Sequence, residues 1–363
     1  MKAVSDIIRA ELENGGAVPF ARFMELALYA PGVGYYETKR NPGRGGDFYT
    51  SVSTGELFGQ LLAFQFAEWL EQSPVAGNPL AIIEGGAHDG ALAKDILTWI
   101  RAHRPKLFER LQYVILDPSP QRQSWQKKTL AKFRDKSLWI CGFSELKKGQ
   151  SAVSNRQRLR GIIFSNELLD AFPVHRLGWD AKGKKWFEWG VAWDGEKFVW
   201  ARMECGRQPA VGRELLEVLP DGYAIEISPA AETWWRAAAN TLGDGKLLTI
   251  DYGLTEDERF LPHRREGTLR AYFRHHPAGD LLANVGEQDL TAHVNFSAIQ
   301  SAGEACGLAT ESFSTQSQFL TRILEKAAGD PSFGDWAARA RQFQTLTHPE
   351  HLGRAFRVLV QTR

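Results

Sequence analysis

Between residues 80 and 170, four short apolar runs alternate with helical stretches, and this alternation limits the possible folds more than any other feature of the chain. The runs lie at 80–83, 113–116, 138–140 and within GIIFSNELLD at 161–170, with helices expected at 91–103 and 119–133. Strand, helix, strand, helix at this spacing predicts βαβ units and a parallel sheet. The rhythm resumes with a helix at 230–242 and strands at 246–253, 308–313 and 355–361. The expected fold class is α/β, a doubly wound, Rossmann-like sheet. Helices at 4–12, 19–28 and 55–72 form an N-terminal cover. From 174 to about 203, Trp179, Trp186, Phe187, Trp189, Val191, Trp193, Phe198 and Trp200 are interleaved with Gly, Lys and Asp. That stretch predicts an inserted antiparallel meander with two-residue turns. The expected division is therefore 1–75, then 76–173 with 222–363, and 174–221 as the insert.

Charge narrows the function classes. Lys and Arg number 44 against 43 Asp and Glu, a net +1, which excludes the broad positive field of a nonspecific nucleic-acid or anionic-membrane binder. Cys141, Cys205 and Cys306 are too scattered for a disulfide framework or a cysteine-rich zinc site, so a reducing cytosol is expected. Cys141, after a strand end, reads as a small buried filler. No run approaches the roughly 18 apolar residues of a membrane helix. The N-terminus carries Asp6, Glu11 and Glu13, unlike a secretory signal or an acid-poor presequence, and the expected location is cytoplasmic.

The segment AIIEGGAHDGALAKDIL, 81–97, is a strand, a glycine turn and a helix. Glycine serves there either as a bare tight turn or where a ligand approaches the main chain. Open α/β sheets bind ligands at the carboxyl ends of their strands, and Asp117 ends the next strand, where a carboxylate can accept both hydroxyls of a ribose. The turn lacks GxGxxG, since His88 holds the middle glycine position, and no Gly-Lys-Ser/Thr is present. A ligand with a ribose but no pyrophosphate fits, S-adenosylmethionine better than NAD.

Seven motifs in order then resemble the MidA family of S-adenosylmethionine-dependent methyltransferases: PFARFMELALYAPGVGYY (19–36), GDFYTS (46–51), IIEGGAHDG (82–90), SNELLDAFPVH (165–175), IDYG (250–253), GTLRAY (267–272) and DLTAHVNF (289–296). The resemblance implies a class I methyltransferase-like fold with S-adenosyl-L-methionine as cofactor and a protein arginine as acceptor. Mitochondrial members of that family assist assembly of respiratory complex I, which implies a respiratory-complex subunit as partner. The candidate cofactor residues are Glu84, Gly86, His88, Gly90, Asp117, Ser119, Asn166 and Thr50, with His88, which is not the family's residue, expected to donate to the cofactor carboxylate. The candidate catalytic residues are Glu167, Asp170 and Asp47, and no metal is expected. Glu167 and Asp170, three residues apart, would share one helical turn and grip a guanidinium, Glu167 as the main anchor. The chain departs from the family at His88, where a glycine is usual, at Asp89 for arginine, at Ser53 for an acid, at Asn295 for aspartate and at Asp117 for glutamate. Those changes leave a second reading, a methyltransferase-fold binding or assembly factor with little or no activity.

Plainer readings accompany other residues. His293 is a base or simply follows a capped helix start at Asp289. His275 and His276 read as solvated surface, and the tryptophans of the insert as local core or a docking face.

Overall fold

The computed structural model describes residues 3–13, 16–38, 51–72, 80–146, 159–209, 211–274, 276–334, 336–349 and 352–363. They fall into two compact units: one of 1–39, 170–232 and 253–298, the other of 40–169, 233–252 and 299–363.

The second unit holds the predicted sheet. Its strands are β1 (Leu80–Gly85), β2 (Leu111–Leu116), β3 (Ser137–Ile140), β4 (Leu159–Asn166), β5 (Leu242–Leu254), β6 (Ala309–Thr315) and β7 (Phe356–Thr362), in the order β6-β7-β5-β4-β1-β2-β3. Pairing is parallel from β3 through β5 and antiparallel where β7 meets β5 and β6. All six residues of β1 are buried, as expected of a parallel strand covered on both faces. The covering helices are α1 (Leu57–Gln72), α2 (Ala91–His103) and α3 (Pro120–Thr129). Helix α2 buries Leu92, Ile96, Trp99 and Ile100 along one stripe and ends on Arg101 and His103, which suit the negative end of its dipole. Two C-terminal helices not foreseen from the sequence, α4 (Gln316–Ala327) and α5 (Trp336–Thr347), join this core through Phe319, Leu320, Ile323 and Leu346. A Thr315/Gln318 capping box opens α4.

The first unit gathers three distant segments. Helices Val4–Glu13 and Phe20–Tyr29 share a core with Val191, Phe198 and Leu290. The meander is present as His175–Asp180, Lys185–Trp193 and Phe198–Glu204, extended by Ala224–Ile227 and Ala17–Pro19. Its turns differ from expectation. Residues 181–184 and 194–197 make four-residue connections because an aspartate folds each one. The Asp180 carboxylate accepts from Gly183 N–H, and Asp194 accepts from the N–H groups of Glu196 and Lys197. Trp179 and Trp186 face each other in register and are buried with Leu177, Tyr223 and Ile225, so these two tryptophans are local core.

Two further expectations are corrected. Cys141 is exposed, because the chain leaves the sheet there into a short surface turn. Asp289 does not start a helix: Asp289–Thr291 is a strand paired with Arg270–Phe273, and the following helix, Phe296–Glu304, has Asn295 Oδ1 accepting from Ala298 N–H. His293 lies between them, its N–H donated to Thr268 Oγ1. Burial first, then Arg264 and Arg270, push its imidazole down to about 4, so it is neutral at pH 7.

Candidate active site

The carboxyl ends of β1, β2 and β4 carry most of the residues singled out above. The turn after β1 alternates left-handed residues, with φ of 72° at Gly86, 44° at His88 and 85° at Gly90. His88 thus holds a conformation that glycine adopts without strain. A Cβ on Gly86 would also lie 2.7 Å from Leu168 Cδ1, so that the leucine side chain would have to shift. Gly90 N–H closes the turn onto Ala87 O at 2.7 Å, and Asp89 Oδ1 accepts from Ala91 N–H at the start of α2. Beneath the turn, buried Glu84 accepts from Tyr113 O–H at 2.7 Å. Burial nevertheless pushes its carboxyl up to about 8.

Asp117 is 1% exposed and ends β2. Its Oδ1 accepts from Ser119 N–H at 2.9 Å and Arg122 Nη2 at 2.8 Å, and Arg122 Nε bridges both oxygens at 3.0 Å. Gln126 Nε2 completes the set on Oδ2 at 2.8 Å. Ser119 also caps α3 through Arg122 N–H.

Gln126, fully buried, is a residue the sequence reading missed. It donates to His88 O and Asp117 Oδ2 and accepts from Trp139 Nε1, tying the glycine turn to the ends of β2 and β3. The available signal was its i, i+4 spacing from Arg122 on one face of α3. Gln126→Ala strips all three bonds. It is expected to cost about 2–4 kcal/mol in chemical denaturation, read as a lower midpoint with an unchanged slope.

The loop after β4 does not form the expected helical turn. Glu167 takes φ 51°, and the N–H groups of Leu168 and Leu169 are drawn onto Asp251 Oδ2 at 3.1 and 2.8 Å. Asp251, fully buried in the carboxyl-terminal part of β5, also accepts from Tyr252 N–H at 2.8 Å, and Glu167 N–H donates to Ile250 O. Burial first, with Glu167 nearby, pushes the Asp251 carboxyl up to about 7. Asn166 Nδ2 donates to Glu167 Oε1 at 3.1 Å. Leu168 packs over Gly85 and Gly86.

Among the described residues, the buried side-chain atoms without a hydrogen-bond partner include His88 Nδ1, which lies 4.0 Å from Asp89 Oδ1, and Asn166 Oδ1. Both belong to segments at the carboxyl ends of parallel strands, β1 and β4. The remaining candidates fall elsewhere. Asp170, buried, belongs to the first unit, where its carbonyl accepts from Ala292 N–H. Asp47 and Thr50 lie outside the described residues, as does His275. Ser51, at the edge of the GDFYTS motif, donates to Gln316 Oε1 at 3.1 Å. His276 is exposed on a short strand.

Known proteins share this chain's sequence pattern and fold. A family model described as "Putative S-adenosyl-L-methionine-dependent methyltransferase" matches residues 61–314. A superfamily member from Burkholderia thailandensis, crystallised bound to S-adenosyl-homocysteine, superposes with a TM-score of 0.83 at 31% identity, covering 99% of this chain and 92% of that one. A native crystal structure of a protein of the same superfamily, also from Burkholderia thailandensis, gives 0.81 at 32% identity, covering 99% of this chain and 91% of that one. The mitochondrial protein arginine methyltransferase NDUFAF7 homolog of Drosophila melanogaster is 26% identical over 97% of this chain and 83% of its own length. The Danio rerio protein arginine methyltransferase NDUFAF7 is 24% identical over 98% and 86%.

Proposed function

The chain belongs to the MidA family of S-adenosyl-L-methionine-dependent methyltransferases, and from that premise we propose that its methyl acceptor is an arginine side chain of a protein. The observation that carries the proposal is Glu167, a carboxylate on a left-handed residue at the carboxyl end of a parallel strand, on a loop fixed by Asp251. The names of the similar mitochondrial enzymes support the same acceptor.

The site's donor set fits the cofactor. The ligand's amino-acid end carries a carboxylate and an ammonium, and the buried His88 Nδ1, which makes no hydrogen bond and has only Asp89 at 4.0 Å, and Asn166 Oδ1 suit them as donor and acceptor. The backbone of Gly86, His88 and Gly90 would hold that end, with Glu84 bracing the turn. Asp117 and Ser119 would hold the ribose, and Thr50 stays in the proposal on the family resemblance. Bound there, the cofactor supplies an electrophilic methyl group on a sulfonium.

Little covalent work is left to the protein, so positioning and electrostatics carry the catalysis. A guanidinium, with a pKa above about 12, arrives protonated. Glu167 accepts two of its N–H groups, turns one nitrogen toward the methyl group and takes up the proton released on transfer. Asp170 and Asp47 remain in the proposal as assisting carboxylates on the resemblance alone. A respiratory-complex subunit remains the partner to seek first.

The test is methyl-labelled S-adenosylmethionine incubated with the protein and an extract from cells lacking it, followed by acid hydrolysis and chromatography. Label is expected in methylarginine, and label confined to another amino acid or to small molecules would sink the arginine reading. Glu167→Gln is expected to lower the yield roughly 100-fold, while the Kd for S-adenosylhomocysteine by calorimetry stays within about threefold. An equal loss of both would make Glu167 a cofactor residue instead.

A further inference from the structure

Four N–H groups converge on Asp117: one from Ser119, two from Arg122 and one from Gln126. A carboxylate has about four lone-pair positions, so this set leaves none for the two hydroxyls of a ribose. The donors are not equally fixed. The Ser119 N–H is main chain at the start of α3, and Gln126 is fully buried and held at three points. Arg122 reaches Asp117 through a long side chain that keeps 10% of its surface in solvent. Its guanidinium supplies half of the donors, the two positions that a ribose diol needs.

We infer that Arg122 is a displaceable occupant of the ribose-binding carboxylate. The cofactor expels its guanidinium from Asp117, and cofactor affinity is set by competition with the protein's own arginine. The inference rests on the reading of Asp117 as the ribose acceptor. Under that competition the apparent Kd is the intrinsic one divided by the fraction of molecules in which Arg122 has swung away. A pair closed in nine molecules of ten therefore weakens binding about tenfold.

Calorimetric titration of S-adenosylhomocysteine into wild-type protein, Arg122→Lys, Arg122→Leu and Asp117→Ala tests this. Arg122→Leu removes the competitor but leaves a buried carboxylate without its cation, which lowers the stability of the free protein. Arg122→Lys keeps the charge and loses the planar fork that reaches both oxygens. The expected result is tighter binding, about tenfold or more for Arg122→Leu and several-fold for Arg122→Lys, with a larger ligand-induced rise in Tm. If Arg122→Leu does not fold, Arg122→Lys decides alone. Binding by a folded Arg122→Lys that is equal to or weaker than wild type, or absent from both, overturns the inference. Asp117→Ala separates the two levels. If it loses binding while the Arg122 variants gain none, Asp117 still reads the ribose and only the competition falls. If it binds like wild type, the ribose assignment falls and takes the competition with it.

Discussion

Replacing Asp251 with alanine is expected to slow methyl transfer by at least about 100-fold and to cost about 3 kcal/mol or more of stability. Asp251 lies buried in the carboxyl-terminal part of β5, and its carboxylate accepts from the N–H groups of Leu168, Leu169 and Tyr252. Each buried donor left without an acceptor costs about 1–3 kcal/mol, and three would be stranded together. The first two belong to the loop that presents Glu167, whose φ of 51° is a strained value for a residue with a Cβ. Without its brace the loop relaxes toward ordinary backbone, and the Glu167 carboxylate moves. Asp251→Asn keeps one acceptor oxygen and should fall between alanine and wild type in both measurements. Single-turnover methylation and urea denaturation on the same preparations supply the check. A folded alanine variant with an undiminished rate would show that Glu167 does not depend on Asp251.

Stability is expected to fall as pH rises from about 5 to 8, and Glu84→Gln is expected to remove most of that fall. Burial holds the Glu84 carboxyl at about 8 against an ordinary 4.5, even though Tyr113 donates to it. Between those values the folded protein keeps a proton that the unfolded chain has released. The group's contribution is therefore fully present below 4.5 and is lost as pH rises through 8. The size is on the order of 4 kcal/mol across that window. Asp251, raised to about 7 by the same cause, adds a fall of the same sign that the Gln variant retains. Denaturation free energies of the two proteins at pH 5, 6, 7 and 8 isolate the Glu84 part. Parallel curves would mean that Glu84 is ionised in the folded protein.

Much of the sheet was legible because its information is local. A run such as Leu80 to Ile83 is apolar on both faces, short and followed by glycines, which suits a covered strand, and the stripe on α2 marks its buried side. The meander was legible from its alternating aromatics, but its turns were not, since Asp180 and Asp194 act through bonds to residues two or three positions on. The helical turn expected at Glu167 failed because spacing along the chain says nothing of Asp251, about eighty residues away, which takes the N–H groups that such a helix would use.

The sequence by itself determined the βαβ order, the family and the glycine turn with Asp117 at the end of the next strand. The order and the turn rest on apolar periodicity and on φ preferences, which act between near neighbours, and the family on the resemblance of seven motifs in order. Only the tertiary structure decided that residues 1–39, 170–232 and 253–298 pool into one unit, that Asp251 holds the Glu167 loop, and that Arg122 and Gln126 fill the lone pairs of Asp117. A carboxylate accepts from whichever donors packing delivers to it, and that delivery depends on how helices and strands settle on one another.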